Sequence, residues 1–264
     1  MGNITGIGFL VLSLLQGMEY ERTLGLAKEA FYNERYAEAD ALALKARGIL
    51  PREPESYELR TTVLLFRLKR ELGVNGQKAN RAGISHCAAC PGLLVAFEED
   101  LRAGIREAER LRGDIRHRNR ADFFLAKLRL NRIWLNLQVL DQKRGLGDYR
   151  DARHRLQEIL AREPDHIRAV TAFAWIDYIV GDRNYVFRKL LGGGDKDRAM
   201  ASLYRALVLC EEGGRNEFGC AEARFGLLEI LKSEGRTGEE RILAKKLFQR
   251  FPGNSGLARR TKER

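Results

Sequence analysis

The chain has 264 residues, 44% of them hydrophobic and 31% charged, with five prolines and a formal net charge of +11. That is enough apolar content for a core, as one long domain or a continuous solenoid, and the long Ala/Leu/Arg/Glu stretches favour an almost purely helical protein. No alternating Val/Ile/Thr/Tyr run is long enough to argue for a sheet.

The isoelectric point of about 9.7 invites an anionic partner. The charge is spread along the chain, however, and the densest run, Arg110 to Arg120, reads as an inter-helix loop without aromatic residues for base stacking. Arginine-rich solvated faces are common in helical proteins, so this pattern argues against nucleic acid. It suits an acidic protein partner or anionic membrane headgroups equally well.

In chain order, Ile4 to Leu15 (ITGIGFLVLSLL) is mostly apolar. It is too short for a transmembrane helix and has the length of a secretory h-region, but no Lys or Arg precedes it and no Ala-x-Ala site follows. Residues 1–17 are therefore expected to be a degenerate export signal or the first helix of the fold. A helical hairpin follows from about Glu19 to Leu50, with Leu24, Ala27, Ala30 and Phe31 facing Ala39, Leu42, Ala43 and Ala46. Tyr57 to Leu72 predicts a helix, Gly73 to Gly76 a break, and Leu93 to Leu111 and Ala121 to Leu140 two more helices.

From Gly147 a repeating grammar is plain. Glu34-Arg35-Tyr36, Gly147-Asp148-Tyr149 and Gly235-Arg236-Thr237 each mark a turn, and each is followed by a proline at a fixed distance: Pro51, Pro164 and Pro252. Ala39 and Ala152 supply a small residue early in the helix after the first two turns, and Glu240 takes that place after the third. A turn, a helix that packs through a small residue, and a terminating proline make the second half of a tetratricopeptide repeat. Ile167 to Gly181 predicts the first helix of a further hairpin, with Ala174 and Gly181 at the small positions, yet its second helix is delayed to Asp195 onward. Residues 182–193 (DRNYVFRKLLGG) are thus an insertion, the kind of segment that repeat proteins place on one face. The last hairpin is expected over Glu222 to Phe251. The whole pattern predicts an all-α, tetratricopeptide-like, right-handed superhelical solenoid of antiparallel helix pairs, one domain over residues 18–264.

Few residues suggest chemistry. Cys87-Ala88-Ala89-Cys90 can be a disulfide, a pair of packed thiols, a redox pair, or half of a zinc site that Cys210 and Cys220 would complete. A structural disulfide between Cys87 and Cys90, or packed thiols, is the plainest of these. Gly192-Gly193-Gly194-Asp195 before a helix has the form of a phosphate cradle, but it lacks the Gly-Lys-Ser/Thr ending, and Asp195 suits an N-cap better. Trp175, Asp177, Tyr178, Arg183, Tyr185 and Arg188, with Gly181, adjoin the insertion and are the candidate partner-binding residues. Asp177 lies in an otherwise apolar helix, so its carboxylate calls for a buried partner. His117, His154 and His166 read as exposed. No catalytic triad, paired-carboxylate or metal-binding arrangement stands out, so neither a catalytic residue nor a cofactor is expected.

Cys87-x-x-Cys90 with Phe97-x-x-Asp100 and Gly104, then Phe123 to Leu128, Trp134-Leu135, Gly147-Asp148-Tyr149, Ala174 to Tyr178 and Leu190 to Lys196, resemble an uncharacterised bacterial family of exported tetratricopeptide-repeat proteins. The likeness spans roughly Ile84 to Arg205. More distantly, the layout is similar to the periplasmic helical-repeat component of some TRAP transporters. The resemblance implies a helical solenoid in the periplasm or cell envelope and no activity. The expected role is a non-enzymatic scaffold or adaptor that binds a protein or peptide in a concave groove. The alternatives are a periplasmic small-molecule-binding accessory of a transport system, with the insertion closing a pocket over Trp175 and Tyr178, and a basic cytoplasmic adaptor for nucleic acid.

Overall fold

A computed structural model of the chain describes residues 4–73, 81–182, 184–213 and 217–262. No strand occurs among them. The chain divides into two compact units, Met1–Gly145 and Leu146–Arg264.

In the first unit, α1 (Ile4–Tyr32) and α2 (Tyr36–Ile49) form the expected hairpin. Glu34 makes the turn in the left-handed region at φ 59°, and the Arg35 amide closes it onto the Ala30 carbonyl at 2.9 Å. Ala27, Ala30, Ala39, Ala43 and Ala46 are all fully buried, and these small residues pack with Tyr20 and Leu24 in one core. The apolar stretch from Ile4 is continuous with α1, in which Tyr20 is a core side chain.

Pro54 opens α3 (Pro54–Glu71), which packs on α2 and on α5 (Cys90–Arg112). Between them lies the short α4 (Arg81–His86), and Gly73, at φ 64°, ends α3. α5 crosses α3 closely: a Cβ on Gly104 would lie 2.7 Å from that of Tyr57, so the glycine is a packing requirement. Leu64, Leu68, Phe97, Leu101 and Leu128 build the core where these helices meet α6 (Arg118–Trp134).

Two expectations change here. The basic run Arg110 to Arg120 is the end of α5, a 3-10 turn at Ile115–His117 and the start of α6, with only a brief break. Asp114 accepts from the Arg116 amide at 3.0 Å and from its guanidinium at 2.7 Å, and those bonds hold its carboxyl down at about 2. The helix expected over Ala121 to Leu140 gives way to a π-turn at Leu135–Val139, whose last bond runs from the Leu140 amide to the Leu135 carbonyl.

The second unit runs through α7 (Leu146–Arg162), α8 (Ile167–Gly181), α9 (Tyr185–Leu190), α10 (Lys196–Gly213), α11 (Glu217–Ser233), α12 (Thr237–Arg250) and α13 (Ser255–Lys262). α7 packs on α8, α8 on α10, α10 on α11, α11 on α12 and α12 on α13. Gly235, at φ 69°, repeats the Glu34 turn, with the Arg236 amide on the Leu231 carbonyl.

α8 and α10 are the hairpin that the insertion interrupts. A Cβ on Gly194 would lie 2.5 Å from the Gly181 amide nitrogen and 2.7 Å from the Val180 carbonyl carbon, and one on Gly181 would lie 3.0 Å from the Lys196 nitrogen. The two ends of the inserted segment therefore meet backbone to backbone. The segment is a closed excursion that carries α9 and leaves the α8–α10 pairing intact. His166 is half-buried and not exposed: its Nδ1 accepts from the Ala169 amide at 3.1 Å and caps α8. His117 and His154 are exposed as expected.

Candidate functional site

The site in the second unit is built on Asp177. Position 177 of α8 turns toward α7 and α10, where the carboxylate is 1% exposed. Arg153 of α7 donates from Nη1 to Asp177 Oδ1 at 3.1 Å, and Arg198 of α10 donates from both Nε and Nη2 to Oδ2 at 2.8 Å. A buried carboxylate needs such partners, because leaving it unpaired costs more than any packing could return.

The two arginines differ. Arg153 is itself buried; it also donates from Nη2 to the Gly192 carbonyl at 3.1 Å, and its guanidinium lies 4.8 Å from the Phe173 ring centre. The Arg198 side chain is 57% exposed and stands at the rim.

The excursion is pinned over this cluster. The Tyr149 hydroxyl donates to the Leu191 carbonyl at 2.9 Å, and the Gly193 amide closes onto the Arg188 carbonyl at 2.8 Å. Gly192 and Gly193 sit at φ 82° and 81°, a conformation that suits glycine and brings the Gly192 backbone against the Arg153 side chain. Asp195 accepts from the Arg198 amide at 2.9 Å, which holds its carboxyl below the usual range, so the glycine run ends in an N-cap. Between α7, α8 and the glycine run lies an open cleft of about 720 Å³, lined by Gln157, Leu160, Phe173, Gly193 and Arg198 among others.

The described candidate residues are spread over more than one side of α8 and onto α9. Asp177 lies buried beneath Arg153 and Arg198, which line the cleft. Trp175 and Tyr178 stack on each other on another side of α8, rings 6.0 Å apart and 15° from parallel. There the Tyr178 hydroxyl donates to Glu234 at 2.7 Å, and Lys196 bridges Glu234 at 3.0 Å and Asp182 at 2.7 Å. These bonds lower the Glu234 pKa and raise that of Lys196, while burial raises that of Tyr178. Tyr185 is 67% exposed on α9, and Arg188 is half-buried on the same helix. Arg183 lies outside the described residues.

Sequence reading missed Arg153, Arg198 and Phe173. The signal that could have found the arginines was the demand of Asp177 for cations, met one residue after the small position Ala152 and three after Asp195.

Cys87 and Cys90 form a disulfide, and so do Cys210 and Cys220, with Cα atoms 5.4 and 5.7 Å apart. The second pairing removes the all-thiolate zinc set as a reading of the four cysteines. No cluster of three or more metal-ligating side chains occurs among the described residues, and no described helix is long and apolar enough to cross a membrane.

No protein-family model matches the chain, and no curated protein matches it. Among solved structures it is similar to TTC0263, a thermophilic TPR protein of Thermus thermophilus. The identity is 19% and the TM-score 0.47, over 92% of this chain and 97% of that one.

Proposed function

We propose that the chain is a non-enzymatic interaction module of the cell envelope, built of tetratricopeptide-like helix pairs, that holds an extended, carboxylate-bearing segment of a partner protein in the α7–α8–α10 cleft. The observation that carries this reading is Arg198: a guanidinium held in place from below by buried Asp177, yet more than half exposed at the edge of an open cleft. An arginine already oriented by a buried carboxylate loses little freedom on meeting a second one, and a charge-assisted bond to it is stronger than a neutral one. Phe173 and Leu160 offer apolar wall, and Gln157, exposed on α7, offers an amide that can pair with an extended backbone.

An open cleft on the Asp177 side suits a peptide better than a small molecule enclosed beneath the insertion, since the Trp175–Tyr178 stack lies elsewhere. The envelope location is supported by the pairing of all four cysteines, a pattern that persists in oxidising compartments.

The test is selection from a library of extended peptides, followed by titration of the selected peptides against Arg198→Ala and Phe173→Ala. Enriched acidic residues or a free C-terminus, with a loss of about tenfold or more in affinity for Arg198→Ala, is the expected result. Peptides whose binding ignores both substitutions would remove the cleft from consideration.

A further inference from the structure

The two disulfides sit in opposite environments, and the contrast points to a function for one of them. Cys90 is the first residue of α5 and is fully buried, packed with Leu93, Phe97 and Leu101. Cys87 is only partly buried, and its neighbours His86, Ala88, Ala89, Pro91 and Gly92 are all exposed. These side chains are mostly small; a Cβ on Gly92 would meet nothing within 4 Å. Val95, 58% exposed, lies one helical turn beyond Pro91 on the same face and extends the small apolar platform. A protein thiol can therefore approach Cys87 Sγ, while Cys90 Sγ is shielded.

The electrostatics agree with the access. Cys90 stands at the N-terminus of a helix of 23 residues whose first turn holds no acidic side chain and whose N-cap, Ala89, supplies no side-chain cap. The positive end of that helix favours a thiolate at Cys90, and a better thiolate is a better leaving group.

Cys210 and Cys220 show the reverse. They are 9% and 6% exposed. Cys210 lies in the last turn of α10, where the helix end is negative, followed by exposed Glu211 and Glu212, and α11 has Glu217 in its first turn. An attacking thiolate is repelled by these carboxylates and shut out by the burial of both cysteines, even though Cys220, in the first turn of α11, would itself leave readily.

We propose that Cys87–Cys90 is a thiol–disulfide exchange site that takes two electrons from a protein dithiol, while Cys210–Cys220 is an inert staple. In the reaction a donor thiolate attacks Cys87 Sγ. The bond between Cys87 and Cys90 breaks, and Cys90 leaves with the electron pair and takes up a proton. The second donor thiol, deprotonated, then attacks the donor sulfur of the mixed disulfide and releases Cys87. The donor ends as a disulfide, and Cys87 and Cys90 end as thiols. This site is separate from the cleft and does not depend on the binding reading.

The experiment uses the oxidised full chain and a thioredoxin whose resolving cysteine is replaced by serine, so that the mixed disulfide cannot be released. Digestion and mass mapping of the native protein should place the adduct on Cys87, exceeding any on Cys90, Cys210 or Cys220 by about tenfold or more. In parallel, a dithiothreitol titration quenched by alkylation should label Cys87 and Cys90 at concentrations about tenfold below those needed for Cys210 and Cys220. An adduct on another cysteine, an adduct formed only after denaturation, or reduction of both disulfides at one concentration would each overturn the proposal.

Discussion

In the first unit Asp100 of α5 receives Arg47 and, at 2.7 Å, Arg60; Arg60 also donates to Asp40 at 2.6 Å, and Asp40 receives Arg67 as well. In the second, Asp177 receives Arg153 and Arg198. Both units thus bury an aspartate under two guanidinium groups. In the first unit one of the two cations, Arg60, is shared onward to a second carboxylate, and its side chain is 13% exposed. The cluster is closed and holds α2, α3 and α5 together. In the second, the outer cation faces solvent beside a cleft. The same pairing is a clasp in one place and a prepared contact in the other, and what distinguishes them is whether the outer arginine has a further acid to satisfy it.

The largest effect is expected for Asp100→Ala, which leaves Arg60 buried beside Arg47 without their shared anion. A loss of about 4 kcal/mol is expected, read as a lower denaturation midpoint at an unchanged slope. A loss below about 1 kcal/mol would mean that the first cluster is no clasp.

Gly194→Ala comes next. The added methyl meets the backbone of Val180 and Gly181, which cannot yield as a flexible side chain would. About 3 kcal/mol is expected, with proteolytic nicking in residues 182–193 as the local readout. An unchanged midpoint would show that the excursion does not close where described.

His166 caps α8, the helix that carries Asp177. Burial lowers its pKa from the ordinary 6.5, so the folded state prefers the neutral ring that caps α8. That contribution is fully present above the unfolded value and is lost as pH falls from about 6.5 through the lowered folded value. His166→Ala should cost about 1 kcal/mol at pH 8 and remove this part of the acid-side decline in stability. An identical decline in the variant would assign it to other groups.

The smallest effect on stability is expected for Arg198→Ala, about 0.5 kcal/mol, because the side chain is largely solvated and Arg153 stays on Asp177. If that substitution costs as much as Arg60→Ala, Arg198 is a clasp like its counterparts and the distinction between the two clusters collapses.

Much of the fold was legible in the chain. Turn residues, the small residues Ala39 and Ala152 and the prolines act within a few residues of themselves, and they placed α2, α7 and α12 closely; the apolar period placed α8 at its observed bounds. The π-turn after Trp134 was not legible, because an i→i+5 bond leaves no mark on apolar spacing. The site was legible only in part. Asp177 announced that it needed a cation, but nothing local says that the cations come from positions 24 residues before it and 21 after it.

Trp175 and Tyr178 are close in sequence to Asp177, yet two positions along a helix rotate a side chain by about 200° and one position by about 100°, which sets the aromatic stack apart from the cleft. What the sequence by itself determined is therefore the helix pairs and their turns, since backbone bonds, glycine and proline act locally. The tertiary packing set which charges share a carboxylate and how the excursion closes on Gly181. Those depend on residues distant in the chain, whose meeting is set by the packing of whole helices.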